Sequence, residues 1–466
     1  MNFAELRFWQ LLLMGLGVVL LLRAVVATWK TEWTENFDKV SLVALGFMLL
    51  LAVSAVTFIV FLVVLLCTYF GLLWILRWHR QHAPRYLWLL VPLLLTPLFY
   101  YKYSDFVMNR LFRFEFDFFR HVIIPVGISF YTFQKIAFVV DTLVFKQALP
   151  RFLDFANFAG FFPQIVAGPI ERRNDLLPQM ERFRFRWLPA RINEGVTWIA
   201  LGFFFKCALA DNLAAYFDAS SSSNPYSIWL TNCLFGLRIY FDFAGYSLIA
   251  LGIASCLGVR LTLNFASPYC ALNVVEFWRR WHITLSQWFR DYVYIPLGGA
   301  KTRFWAFNIM VVFLVSGVWH GAGWNFVLWG ALHGAFLIAF RFSGAWRMPR
   351  ALAWGVTMLA VFAAWLCFYE LKTTALLDKL RTLSTPAAYT LDALRAAGHP
   401  YVGAHGFVLG GLLVLAVATL ILEWLSLRIR NEPYYYLRKP LTVCALVVLT
   451  ILLAPGNNNA FIYFAF

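Results

Sequence analysis

Charged side chains are scarce in this 466-residue chain: Asp, Glu, Lys and Arg make up 13% of it, whereas hydrophobic residues make up 62%. Soluble domains usually carry about 25% charged residues. So much apolar surface cannot be hidden inside a water-soluble globule of this length, and a bilayer must be the solvent for most of it. The composition therefore predicts an all-α integral membrane protein.

The sequence also lacks several well-known nucleotide-binding and catalytic motifs. The chain has no Walker A sequence, no dinucleotide-type G-x-G-x-x-G after a strand and no G-x-S-x-G nucleophile elbow. These absences argue against ATP-driven transport and against a serine-hydrolase fold. The seven cysteines form no C-x-x-C pair. They indicate small buried hydrophobes, and we expect neither disulfides nor a metal or redox cofactor.

Positive charge is in excess, with a formal net charge of +16. In a soluble protein this would suggest nucleic acid. Here the lysines and arginines cluster in short loops between apolar runs, as the positive-inside rule requires, and we place the arginine-rich loop 172–191 in the cytoplasm. We expect no nucleic-acid partner, and the basic loops could instead attract an anionic cytosolic donor such as a coenzyme A thioester.

Apolar runs of about 20 residues, the length of a membrane-spanning helix, recur along the chain. They predict 11 or 12 crossings, at 8–28, 41–76 (two), 86–101, 121–145, 193–217, 227–257, 303–320, 324–341, 351–370, 405–427 and 440–455. We expect the first to be an uncleaved span and not a signal peptide, because Glu5 precedes it and more spans follow. We divide the chain into N-terminal transmembrane helices (1–120), a central core (121–345) and C-terminal transmembrane helices (346–466).

Two stretches match neither a clean span nor a clean loop. Phe152 to Ile170 is apolar but short, and Phe277 to Gly299 mixes Trp, Arg, His and Tyr. Irregular backbone at membrane depth persists only where protein or a water-filled cavity covers it. Both are therefore predicted to be re-entrant segments that line a chamber. The long polar stretch 371–404 could be a lid or a partner surface.

One histidine stands alone in an apolar region. His320 lies in the run VSGVWHGAGW, among glycines that allow another backbone or a thin ligand to approach closely. An ionisable residue within the membrane is costly and suggests function. A neutral imidazole can take a proton from a hydroxyl and return it to a thiolate. From the residues alone, a hydrogen-bonded core histidine between helices stays open as the alternative.

A second histidine lies in EFWRRWHITLSQWFRDYVYIP, which begins at Glu276. A continuous helix would give this segment a polar stripe at 276, 280, 287 and 291, and an aromatic stripe at 278, 282, 285 and 289. Glu276 and Arg280 would form a favourable i,i+4 pair. His282 falls on the apolar stripe. It is either a packed interfacial histidine or a second polar contact near His320.

The other histidines and the isolated charges carry less information. On one straight helix His333 would lie about 20 Å from His320, which favours packing over catalysis. His79 and His82 form an H-x-x-H without a third metal ligand in view. Three more have no recognisable context: His121, His399 and His405.

Charged residues inside apolar segments keep a rival class open. Asp242 and Arg238 are four residues apart and could form a buried pair. Such groups, with Asp141 and Lys206, could equally mark an ion path, as in a secondary transporter.

Several long stretches resemble one family of membrane proteins. They are VGISFYTFQ from Val126, FFPQIVAGPIER from Phe161, FDFAGYSLIALGIASCLG from Phe241, NFASPY from Asn264, EFWRRWHITLSQWFRDYVYIPLGG from Glu276, VSGVWHGAGWNFVLWGALHG from Val315 and FIYFAF from Phe461. The chain resembles the membrane-bound O-acyltransferase (MBOAT) family. The resemblance is to its bacterial polysaccharide-acetylation branch, with cellulose and alginate acetylation proteins and, more distantly, teichoic acid D-alanylation proteins.

The resemblance implies a fold and a site. The fold would be a ring of tilted helices around a thinned centre, where a tunnel lets a cytosolic acyl donor meet an acceptor from the other side. The family's essential histidine maps onto His320, and the second histidine of this branch maps onto His282. His320 would be the general base toward the acceptor hydroxyl, and His282 would orient or polarise donor or acceptor. Residues expected along the donor path or tunnel are Arg279, Arg280, Arg290, Asp291, Trp319, Trp324 and Asn325.

The resemblance also implies partners and a location. The donor would be acetyl-CoA or another acyl thioester, and no cofactor would be bound permanently. Membrane lipid, a periplasmic acetyltransferase of SGNH-like type and, indirectly, an exopolysaccharide would be the partners, at a bacterial inner membrane. The FxSxxFLFxFLP-type opening of alginate-type chains is absent, which slightly favours cellulose over alginate. A pure acyl conduit, or a polysaccharide or ion transporter without chemistry, stays open as the alternative.

Overall fold

The computed structural model describes residues 3–29, 33–114, 116–119, 122–216, 224–343, 348–455 and 461–462. All regular structure in these ranges is helical, which confirms the predicted all-α class. His121 and the last four residues of the aromatic ending FIYFAF lie outside the described residues.

The chain divides into two compact units. The first comprises residues 1–199 and 250–262, and the second comprises residues 200–249 and 263–466, so the division cuts through the two helices α9 and α11 defined below.

The first unit holds the helices of the N-terminal part. They are α1 (Leu6–Trp29), α2 (Thr34–Val53), α3 (Ala55–Trp78), α4 (Leu87–Leu98), α5 (Ile128–Leu143), α6 (Phe152–Gly160), α7 (Phe162–Ile165), α8 (Arg173–Glu181) and most of α9 (Pro189–Phe203). Two π-helical stretches, Phe99–Tyr103 and Asp105–Leu111, follow α4.

The second unit holds the remaining helices. They are α10 (Asp211–Ala214), most of α11 (Pro225–Cys256), α12 (Val274–Arg280), α13 (Ile283–Phe289), α14 (Trp305–His320), α15 (Trp324–Phe342), α16 (Arg350–Tyr369), α17 (Thr373–Leu383), α18 (Leu391–Gly398), α19 (Ala404–Arg430) and α20 (Pro440–Leu453). Two π-helical stretches, Phe204–Ala210 and Arg290–Tyr294, also lie in this unit. The polar stretch 371–404 thus contains two short helices, and its role as a lid or partner surface stays a prediction.

Nine helical segments of the described chain are long and apolar enough to cross a membrane, and the shorter helices α14 and α20 are apolar as well. The protein is therefore a multi-pass membrane protein, in line with the predicted number of crossings. The predicted span 121–145 is wrong in extent, because the helix there is the 16-residue α5, and 15 of its residues are buried. The ring of helices and its central tunnel stay predictions.

The two predicted re-entrant segments are both broken helices. The stretch from Phe152 contains α6 and α7, which are separated at Phe161. The continuous helix expected from Glu276 is wrong, because α12 ends at Arg280 and α13 begins at Ile283. His282 lies at this break with a left-handed φ of 43°, a conformation that helices of L-residues do not continue through.

A compensated charge cluster lies inside the second unit. The Lys206 ammonium is 2.7 Å from an Asp211 carboxylate oxygen and 2.8 Å from an Asp242 carboxylate oxygen, and all three side chains are buried. The other Asp242 oxygen accepts a hydrogen bond from the backbone N–H of Ile462 (2.7 Å). Asp242 thus has Lys206 as a salt-bridge partner, and it also interacts electrostatically with Arg238, the partner that the sequence suggested. The cluster neutralises charge that would be expensive in a membrane.

Helices α14 and α15 form a closely packed hairpin joined at residues 321–323. Gly317 of α14 lies against the backbone carbonyl of Phe326, and Gly330 of α15 lies against the backbone carbonyl of Phe313, so a Cβ atom at either glycine would collide with main chain. Small residues at a helix crossing permit this close approach in membranes. The crossing fixes the residues of α15 that face the end of α14.

Gly330→Ala is expected to destabilise the protein, because the new methyl group must push α14 and α15 apart; overpacking of this kind costs about 1–3 kcal/mol. Gly355→Ala is the matched control, since a Cβ there meets no atom within 4 Å. Alanine in a helix interior gains up to about 1 kcal/mol over glycine. In one detergent, the melting temperature should therefore fall for Gly330→Ala and stay the same or rise for Gly355→Ala. Equal shifts of the two melting temperatures would refute the steric role of Gly330.

Candidate active site

His320 is the last residue of α14 and is 2% exposed. Its imidazole is surrounded by aromatic rings. The ring centroids of Trp319, Trp329 and Phe368 lie 4.8, 4.9 and 5.3 Å from that of His320. These neighbouring rings are uncharged, so they provide no carboxylate that would favour the protonated imidazolium.

His282 lies in the same aromatic cluster. Its ring centroid is 4.8 Å from that of Phe243 and 5.9 Å from that of Trp319. Trp319 therefore neighbours both predicted histidines. Burial lowers the pKa of His282, which lies outside the membrane-spanning helices, to about 3, so this imidazole is neutral at physiological pH.

Asn264 holds the break that carries His282. Its backbone carbonyl accepts a hydrogen bond from the N–H of Ile283 (2.9 Å), and its side-chain oxygen accepts one from the hydroxyl of Thr284 (2.9 Å). The asparagine of the NFASPY stretch thus secures the start of α13. Because these contacts fix the backbone around it, His282 can keep an unfavourable left-handed conformation.

His333 joins the cluster, although the sequence placed it far from His320. The distance expected on a straight helix is wrong, since α14 and α15 are separate helices that fold back on each other. The Trp329 ring lies 4.9 Å from the imidazole of His320 and 4.8 Å from that of His333. His333 is fully buried. In the sequence, the glycines at 321 and 323 could have indicated the turn between α14 and α15.

An arginine-lined cavity of about 810 Å³ lies beside this cluster, between α12, α13, α14 and α15. Its described lining includes the guanidinium groups of Arg279, Arg290 and Arg341 and no acidic side chain. Trp278 and Phe313 provide apolar wall. This arginine-lined cavity combines positive charge at exposed side chains with an aromatic interior, which suits a ligand with an anionic end and an uncharged end.

Sequence reasoning placed two of these three arginines on the donor path and missed Arg341. Arg341 lies on α15, and its guanidinium is 4.1 Å from the ring centroid of Trp305. Only the hairpin brings it beside Arg279, so nothing local in the sequence indicated it.

The other predicted path residues have different surroundings. Arg280 is not part of the described cavity lining; it forms the expected pair with Glu276 (2.8 Å) and donates to the carbonyl of Ala266. Asp291 pairs with Arg290 at 2.6 Å. Trp324 begins α15 and is 54% exposed.

Asn325 is buried and has a structural contact. Its side-chain N–H donates to the backbone carbonyl of Cys367 (3.0 Å), one of the last carbonyls of α16, which lack partners within their own helix. This bond ties the start of α15 to the end of α16, and α16 carries the Phe368 ring that contacts His320.

No group of three or more His, Cys, Asp or Glu side chains in the described ranges is arranged to hold a metal ion. The H-x-x-H of His79 and His82 therefore has no third ligand of these types among the described residues.

Comparison with known proteins identifies the family. Residues 54–376 match the model of MBOAT, the membrane-bound O-acyltransferase family. This is more than half of the chain, so the chain belongs to the MBOAT family, as its motifs predicted.

Several similar proteins are named for acyl-transfer reactions. The chain is 37% identical to a peptidoglycan O-acetyltransferase of Helicobacter pylori, over 62% of this chain and 63% of that protein. It is 35% identical to a probable alginate O-acetylase AlgI of Azotobacter vinelandii, over 78% and 73%. It is 30% identical to a teichoic acid D-alanyltransferase of Bacillus subtilis, over 48% and 60%. The chain thus spans less than two thirds of the Helicobacter and Bacillus relatives.

Asn325→Leu is expected to destabilise the protein by about 1–3 kcal/mol, because it leaves the buried Cys367 carbonyl without its donor. Asn193→Leu, at an exposed position of α9, serves as the control and should change stability little. Thermal unfolding of the two purified variants gives the comparison. An unchanged melting temperature for Asn325→Leu would mean that the bond contributes nothing.

Proposed function

We propose that the protein is a membrane-bound O-acyltransferase of the bacterial inner membrane, and that it moves acetyl groups from a cytosolic acyl thioester to the hydroxyl groups of an extracellular polysaccharide. The observation that carries the proposal is His320, buried in an uncharged aromatic cluster beside an arginine-lined cavity, in a chain of the MBOAT family.

His320 acts as general base. A neutral imidazole accepts the proton of the acceptor hydroxyl while the hydroxyl oxygen attacks the thioester carbonyl carbon. A new C–O bond forms, the C–S bond breaks, and the imidazolium returns the proton to the departing thiolate. The aromatic rings around His320 exclude water, which limits hydrolysis of the thioester. His282, whose ring also neighbours Trp319, orients donor or acceptor.

The arginine-lined cavity binds the donor. Acetyl-CoA carries its phosphates at one end and its acetyl group at the other, at the tip of an uncharged arm. Arg279, Arg290 and Arg341 are suited to the phosphates, since guanidinium groups bind them by charge-assisted hydrogen bonds. The aromatic wall suits the uncharged arm.

The acceptor is a polymer of the alginate, cellulose or peptidoglycan type. Two relatives are named for alginate and for peptidoglycan, and cellulose rests on the sequence resemblance alone. Such polymers lie outside the cytoplasm, so an SGNH-like periplasmic acetyltransferase is the partner that completes delivery. Assays of the lone protein therefore need a simple soluble hydroxyl acceptor, such as a short oligosaccharide.

His320→Gln should lower acetyl transfer about 10²–10⁴-fold, the usual contribution of a general base, because glutamine cannot take up the hydroxyl proton. The measurement is release of free CoA from acetyl-CoA, with an oligosaccharide acceptor, by the purified protein in nanodiscs. His399→Gln, at an exposed position, is the matched control. Transfer at the parent rate by a folded His320→Gln variant would refute the general-base role.

Arg341→Ala should raise the KM for acetyl-CoA about tenfold, close to the loss of one charged hydrogen bond. A thioester without phosphates, S-acetyl-N-acetylcysteamine, should be used by this variant and by the parent with the same KM. Arg395→Ala removes an exposed pair with Asp392 outside the cavity and is the control. An unchanged KM for acetyl-CoA in Arg341→Ala would exclude the cavity as the phosphate site.

A further inference from the structure

Three neighbouring side chains, one of which contacts His320, carry buried polar nitrogen atoms without a hydrogen-bond partner among the described residues. They are the indole Nε1 atoms of Trp278 and Trp329 and both ring nitrogens of His333. Buried polar groups in native proteins nearly always have partners, and leaving them without one costs free energy. Three such residues contact one another here, and the indole Nε1 of the nearby Trp365 shares this property.

The three rings touch one another. The His333 centroid is 4.9 Å from that of Trp278 and 4.8 Å from that of Trp329, and the two indoles are 5.7 Å apart. Trp329 and His333 are fully buried. We call Trp278, Trp329 and His333 the indole–imidazole triad.

The triad lies between the arginine-lined cavity and His320. Trp278 belongs to the cavity lining, and so does Phe313, whose ring is 5.1 Å from that of Trp278 and 6.3 Å from that of His333. At the other end, the Trp329 ring is 4.9 Å from the His320 imidazole. These ring contacts connect the cavity wall to His320, so a ligand that extends from the cavity along them would lie against the three rings.

The chemistry of the triad selects an uncharged ligand with carbonyl groups. An indole N–H only donates, so it requires an acceptor. A neutral imidazole donates from one nitrogen and accepts at the other, which matches the C=O and N–H of an amide. The arm of an acyl-CoA bears two amides and ends in a thioester carbonyl, and it carries no charge that the aromatic walls would reject.

We propose that the indole–imidazole triad binds the amide and thioester groups of the acyl donor's arm, and that His333 is a positioning residue which holds the thioester carbonyl toward His320. This inference rests on the proposed function, because it takes the donor to be an acyl thioester. It assigns a role to a histidine that the catalytic step itself does not use.

The experiment measures the KM for acetyl-CoA in variants that remove the polar nitrogen atoms and keep an apolar side chain. Trp278→Phe keeps an aromatic ring and loses the N–H, whereas His333→Leu removes both polar nitrogens and His333→Asn retains one donor and one acceptor. We expect Trp278→Phe and His333→Leu to raise the KM for acetyl-CoA about tenfold, and His333→Asn to restore most of the affinity. If His333→Leu fails to fold, Trp278→Phe still tests the proposal, provided that its melting temperature equals that of the unmodified protein.

Trp365→Phe is the matched control. The Trp365 indole is buried and its ring is 6.2 Å from that of Trp329, but it is not part of the described cavity lining. Its replacement should leave the KM for acetyl-CoA unchanged. An equal rise in KM for Trp365→Phe and Trp278→Phe would overturn the proposal, because the effect would then be one of aromatic packing.

Binding measured without turnover separates this inference from the proposed function. Calorimetry with acetyl-CoA is done in the His320→Gln background, with and without His333→Leu. Weaker binding only with His333→Leu supports the triad. Equal binding by both overturns the triad and leaves the proposed function standing. No binding of acetyl-CoA to the unmodified protein would overturn the proposed donor itself.

Discussion

The close crossing of α14 and α15 is the constraint on which the site depends. Gly317 and Gly330 let the two backbones approach until each helix touches a carbonyl of the other. His320 ends one helix and His333 lies within the other, so only this approach allows Trp329 to contact both imidazoles at once. Bulkier residues at the crossing would separate the helices and pull this cluster apart.

One buried group of charges in the second unit is compensated within its own cluster. Lys206 and Arg238 offset the charges of Asp211 and Asp242, in a buried cluster that also fixes the backbone at Ile462. The rings that contact His320 are uncharged. A carboxylate next to an imidazole would favour its protonated form, and a protonated imidazole cannot act as a base. Compensation of the charges within their own cluster lowers the cost of burying them, and the aromatic rings next to His320 add no charge of their own that would favour its protonated form.

Sequence patterns predicted the features that depend on composition and on near neighbours. The helical membrane class, most spans and the Glu276–Arg280 pair follow from apolar runs and from i,i+4 spacing. The left-handed break at His282 was missed, because it depends on hydrogen bonds to Asn264, a residue that is distant in sequence. Helical periodicity assumes a continuous helix, and it cannot detect a break that tertiary contacts impose.

The parts of the site that were missed depend on the hairpin in the same way. Arg341 and His333 both lie on α15. Each belongs to the site only because α15 packs against residues of α12 and α14. In the proposed function, two kinds of side chain would recognise two parts of the donor. Guanidinium groups lie on exposed side chains, where their charge stays hydrated until an anion replaces the water. Neutral indole and imidazole groups lie inside, where a charge would be too costly. A donor with phosphates at one end and amides toward the other would meet the two kinds of group in that order.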